Sequence, residues 1–232
     1  TTMSLERVRA HRYLILLLML VSASVLGMAF APHAYLREAV VTVLMVMVFF
    51  IVFERHSHRV ASLCAGLVVV GALWTLRLLP VEQRHILEIA VHLGGAVFLA
   101  LAVSVILRHL FDRRAVNIDD LLGTMCGYLL AAMAWANVYA VIELTAPGAF
   151  NVAGAIAPAL GEWHEREALF LYFSLTTLTT IGYGDVSPVA AAARSAAALE
   201  GVFGQFYIAV VVAQLVGSKL AEANLREPPD RR

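Results

Sequence analysis

Apolar residues in this chain are gathered into long blocks, and the length of those blocks is what most limits its fold. Six of them, Tyr13–Phe30, Tyr35–Phe53, Val60–Leu79, Ile86–Leu107, Leu121–Leu144 and Ala190–Gly217, are each near the ~20 residues a helix needs to cross ~30 Å of hydrocarbon. Within hydrocarbon a backbone amide finds no water, so such blocks fold as helices that satisfy their own hydrogen bonds. The second block is the weakest, its charge-free core running only from Ala39 to Phe53. The expected fold is therefore an all-α membrane protein with six transmembrane helices, and a lipid bilayer is its first partner. Composition agrees: 15% of residues are charged, against roughly a quarter in soluble domains.

The first block follows Arg7, Arg9 and Arg12 and precedes Ala29-Phe30-Ala31, as a secretory signal would. Its apolar run is longer than a signal's and Pro32 follows the would-be cut, so it reads as a retained helix. The 17 basic and 17 acidic residues cancel, which leaves no basic field to recruit nucleic acid. Cys64 and Cys126 stand alone inside apolar blocks and read as packing residues, with neither a disulfide framework nor metal-ligand spacing.

Lys and Arg favour the cytoplasmic side of membrane helices. With the N-terminal arm inside, 12 of the 17 basic residues fall on that side, in the arm, the 54–59 and 108–117 loops and the tail. Both termini are expected in the cytoplasm of a cell whose plasma membrane holds the protein, and 145–189 outside. Asn117-Ile118-Asp119-Asp120 opens the fifth helix with a capping residue and two carboxylates in its positive first turn.

A seventh apolar piece, Ala168–Thr180, is too short to span and is followed by Gly182 and Gly184. It reads as a re-entrant helix leading into an extended loop, tolerated at membrane depth only where it lines a cavity. The loop carries the chemistry. Thr180-Ile181-Gly182-Tyr183-Gly184 can turn successive carbonyls to one side only by alternating backbone conformations that a Cβ disfavours, and glycine adopts them cheaply. Rings of such carbonyls replace the water shell of a permeating cation. Ile181 and Tyr183 then point outward as braces, Thr180 adds a hydroxyl at the inner end, and Asp185 stands at the outer mouth.

Thr179-Thr180-Ile181-Gly182-Tyr183-Gly184-Asp185 resembles the signature of potassium channels, with Ile where many members have Val. The resemblance covers residues 118–220 as helix, re-entrant pore helix, selectivity filter and helix. It implies a homotetrameric pore in which carbonyls of Thr180, Ile181, Gly182 and Tyr183 hold K+ ions, with no other cofactor. It also implies that Thr179 supports the filter and that Tyr172 and Phe173 lie near an aromatic collar around Tyr183. The expected function is passive, potassium-selective conduction, with a weakly selective cation channel or a non-conducting subunit as alternatives.

Residues 1–117 are expected to form a four-helix transmembrane domain outside the resemblance, 118–220 the pore domain, and 221–232 a short polar cytoplasmic tail, with no ligand-binding domain expected there. Gly204 falls where many members carry a gating hinge, or it simply permits close helix packing; both stay open. Gln205, Ile208, Val212 and Val216 share a helical face and are expected to line the cavity. Glu200 lies about 15 Å into the membrane at 1.5 Å per residue, where an ionisable group needs a partner. Ser174, Thr176 and Thr177 are the nearest donors, so Glu200 is expected to brace the filter from behind, with a cation site in the cavity as the alternative.

The fourth block has no Lys or Arg between Ile86 and Leu107, although a voltage sensor needs several at three-residue intervals. It carries His85, Glu88 and His92 on one face, a spacing open to proton sensing or metal binding but more simply read as an interfacial histidine and a hydrogen-bonded pair. An intramembrane metalloenzyme built on Glu88 and His92 would lack a complete ligand set, so catalysis is not expected.

Overall fold

The structure, a computed structural model, describes residues 12–29, 34–52, 81–112, 117–153 and 163–226. Along the chain these form α1 (Arg12–Ala29), α2 (Ala34–Val52), α3 (Val81–Asp112) and α4 (Ile118–Thr145), then β1 (Phe150–Val152), α5 (Trp163–Leu178), β2 (Val186–Pro188) and α6 (Ala191–Arg226). The third apolar block, Val60–Leu79, lies outside the described residues, and Cys64 with it.

Among the described residues, three helical segments are long and apolar enough to cross a membrane: His85–Asp112, Ile118–Thr145 and Ala191–Leu220. The protein is mostly helical, and its helices pack without a hydrophobic drive between them, since lipid is as apolar as Leu. Close fit and interhelical hydrogen bonds supply the association. One packed core, with Leu16, Leu20, Leu44, Val48, Phe98 and Leu99 fully or almost fully buried, joins α1, α2 and α3 to Cys126 and Leu130 of α4 and to Tyr207 of α6.

Residue 117 does what its type predicts. The Asn117 side chain accepts from the Asp120 amide at 2.8 Å while the Asp120 carboxylate accepts from the Asn117 amide at 3.0 Å, a reciprocal capping box at the head of α4. Toward the middle of α4, Gly127 lets α6 approach. The Tyr207 hydroxyl lies 2.5 Å from where a β-carbon at 127 would stand, and it donates to the Thr124 carbonyl at 2.7 Å.

Three features depart from the sequence reading. The re-entrant helix begins at Trp163, five residues before Ala168, and so places Glu165 in its first turn. The last helix continues to Arg226, past the expected start of the tail at 221, because Lys219–Arg226 contains neither Gly nor Pro to stop it. A small antiparallel ribbon pairs Phe150 with Pro188 and Val152 with Val186. Its three-residue strands are too short for periodicity to register.

Candidate functional site

The site is assembled at the C-terminal end of α5. This helix has 16 residues, short of a crossing, and its last turn leaves carbonyls without partners inside the helix. The following loop pairs them. The Thr179 amide donates to Leu175, the Thr180 amide to Thr177 at 3.1 Å, and the amides of Ile181 and Gly182 both donate to the Thr176 carbonyl, at 2.9 and 3.2 Å. The Leu178 carbonyl accepts from the Tyr128 hydroxyl of α4 at 2.7 Å.

Backbone conformation alternates along the loop. Thr180, Gly182 and Gly184 have φ of 59°, 54° and 80°, while Ile181 and Tyr183 between them do not have positive φ. This every-second-residue pattern is the one needed to turn successive carbonyls to one side. Thr180 is the only non-glycine with positive φ among the described residues, and for a β-branched residue that conformation is strained. The side chains of Ile181 and Tyr183 are exposed, by 54% and 70%, as are Thr179, Thr180 and both glycines. The loop therefore lies on an open face of the chain.

Beside the loop, Tyr172 stacks flat on Tyr183 with ring centroids 6.3 Å apart and 2° between planes. Its hydroxyl donates to the Asp185 carboxylate at 2.6 Å. Asp185 thus anchors the outer end of the loop to α5. Phe173, expected at the same collar, is instead buried against Tyr139 and Phe150, with centroids 5.0 and 5.6 Å apart. Successive residues on a helix stand about 100° apart, so only one of the pair can face Tyr183. Thr179 turns its hydroxyl back to the Leu175 carbonyl at 2.6 Å.

Behind the loop, Glu200 is fully buried. Its two carboxylate oxygens accept from the hydroxyls of Ser174 on α5 and Tyr139 on α4. Ser174 is one of the three donors expected from the sequence; Thr176 and Thr177 instead cap the Phe173 carbonyl. Tyr139 had no signal in the sequence, being one aromatic residue in an apolar block. One turn further along α6, Gly204 packs on Leu178. A β-carbon at 204 would lie 3.0 Å from both the Leu178 carbonyl oxygen and its side chain, and the helix runs unbroken through this position. Gln205, Ile208, Val212 and Val216 are all exposed along α6.

The turn between α4 and β1 is tied by Glu143, whose carboxylate accepts from the amides of Gly148 and Phe150 at 2.8 and 3.2 Å. The three residues singled out on the fourth block are not brought together as a ligand set. Glu88 faces Arg166 of α5 at 3.9 Å, the buried His92 bonds Asn137 at 2.9 Å, and His85 is exposed. Among the described residues, no three His, Cys, Asp or Glu side chains gather closely enough to hold a metal ion.

Two apolar spanning helices flanking a re-entrant helix and a loop of alternating backbone define an integral membrane protein with a pore-loop arrangement. Residues 150–218 match the family model described as an ion channel. No curated protein and no solved structure matches the chain. The matched segment contains α5, the loop and nearly all of the spanning part of α6, so the similarity to ion channels falls on the part of the chain that carries the site.

Proposed function

We propose that the chain is one subunit of a potassium-selective channel whose pore needs four copies, with the Thr180–Gly184 run as the filter, α5 as the pore helix and α6 as the inner helix. The observation that carries this reading is the alternation of positive φ at Thr180, Gly182 and Gly184 in a loop that has its amides turned back to α5. With the donors occupied behind, the carbonyls of Thr180, Ile181, Gly182 and Tyr183 are the groups left to replace a cation's water shell. A single copy supplies only one wall of such a path, and the exposure of the loop and of Gln205, Ile208, Val212 and Val216 fits faces that other copies and a water-filled cavity would cover.

Opening in this reading is weakly coupled to voltage, since α3 lacks the repeated basic residues of a sensor. Both termini lie in the cytoplasm and the protein resides in the plasma membrane, as the distribution of Lys and Arg favours. Recording from purified protein in planar bilayers, with K+ on one side and Na+ on the other, tests the proposal. A reversal potential that follows the K+ gradient supports it; near-equal permeability makes the protein a weakly selective cation channel, and silence a non-conducting subunit.

A further inference from the structure

The pore helix α5 is held from behind at two levels, one helical turn apart, and each level draws on the same three helices. At the upper level Ser174 of α5, Tyr139 of α4 and Glu200 of α6 meet in one hydrogen-bonded knot, all three at 0% exposure. At the lower level Leu178, four residues on, presents its carbonyl to the Tyr128 hydroxyl of α4 and its backbone to Gly204 of α6, four residues past Glu200. Residues four apart lie on one helix face, so Ser174 with Leu178 and Glu200 with Gly204 form two facing rows, and α4 supplies a tyrosine hydroxyl to each level.

We infer that Tyr139 and Tyr128, with Glu200 as the shared acceptor above and Gly204 as the contact below, are positioning residues for ion selectivity. None of the four needs to touch the ion. Ser174 lies two residues from Thr176, whose carbonyl receives the Ile181 and Gly182 amides, and Leu178 lies two residues from Thr180. Displacing α5 at either level moves the very atoms that hold the loop. Burial makes the arrangement stringent, because a carboxylate left without a donor in a dry interior is costly, and hydroxyls of matching reach are the donors the structure provides.

This inference rests on the channel reading, and the experiment separates the two. Full-length protein is purified as wild type, Tyr139→Phe, Tyr128→Phe, Glu200→Gln and Glu200→Leu. Each phenylalanine variant keeps its ring in place and removes one hydroxyl, so folding is expected to survive. The readouts are the K+/Na+ permeability ratio in bilayers and the difference between unfolding midpoints in K+ and in Na+. Tyr139→Phe, Tyr128→Phe and Glu200→Leu should each lower the permeability ratio, by about fivefold to tenfold for one lost hydrogen bond and by more for Glu200→Leu, which loses two. They should also shrink the K+-specific rise in midpoint, while Glu200→Gln, which keeps an acceptor and can donate to the other hydroxyl, retains most of both. If the tyrosine variants lose stability equally in K+ and Na+ with an unchanged permeability ratio, the residues are merely structural and the inference fails. If wild type itself shows no preference for K+ in either readout, it is the channel reading that fails.

Discussion

The Leu178 carbonyl oxygen lies 3.0 Å from where a β-carbon on Gly204 would stand, which puts the backbones of the re-entrant helix and the last helix in direct contact just below the loop. Gly204 therefore occupies a packing position in a continuous helix. Leu178 cannot retreat, because its side chain is fully buried and its carbonyl is held by Tyr128.

Gly204→Ala is expected to overpack this contact, at a cost of about 1–3 kcal/mol. A hinge substitution would alter opening and leave selectivity alone. Here both should change, since the displaced carbonyl is two residues from Thr180. Unfolding midpoints alongside single-channel permeability ratios check this; a variant with wild-type stability and selectivity and altered opening rates would restore the hinge.

Gly182→Ala separates backbone strain from crowding. Nothing lies within 4 Å of the position a β-carbon would take at 182, yet φ is 54°, a conformation that costs an L-residue about 1–2 kcal/mol. In the proposed four-copy pore the penalty would recur at each copy around one ring. Selective K+ current should vanish while the helical content by circular dichroism stays at the wild-type level.

The limits of the sequence follow from how far apart partners lie. Block lengths report the hydrocarbon directly, and Gly182 and Gly184 report a backbone conformation, so the three long apolar helices and the positive φ at both glycines were legible, while the start of α5 and the end of α6 were not. Ser174 as a donor to Glu200 was legible too, because both lie in one short stretch around the loop. Tyr139 was not: it stands 61 residues from Glu200, and nothing in an apolar block marks one tyrosine hydroxyl as buried and partnered. Tyr128, 50 residues from Leu178, was hidden for the same reason. Phe173 neighbours Tyr172 in sequence but faces Tyr139 and Phe150, because successive helical residues point about 100° apart, and the positive φ of Thr180 runs against what a β-branched residue prefers.

Glu143→Ala removes the acceptor for two amides in the turn that leads to β1. Leaving a buried donor unpaired costs about 1–3 kcal/mol, so the unfolding midpoint should fall. Glu143→Gln, keeping one carbonyl oxygen, should recover part of the loss. Hydrogen exchange at Gly148 and Phe150 should accelerate in the alanine variant; unchanged exchange would remove Glu143 from this role.

Voltage should act weakly. One charge crossing the field yields ~2.3 kcal/mol per 100 mV, and between Ile86 and Leu107 α3 holds a single acidic residue, Glu88, and no basic one. Glu88 is moreover held against Arg166. A conductance–voltage curve as steep as that of a channel with several gating charges per subunit would contradict this account.

The most direct test of the account is the reversal potential of the purified wild-type protein in a planar bilayer with K+ on one side and Na+ on the other. The alternating loop predicts a reversal potential set by K+, shifting with the K+ gradient at Nernstian slope. A reversal potential near zero, with the two cations passing equally, would contradict it.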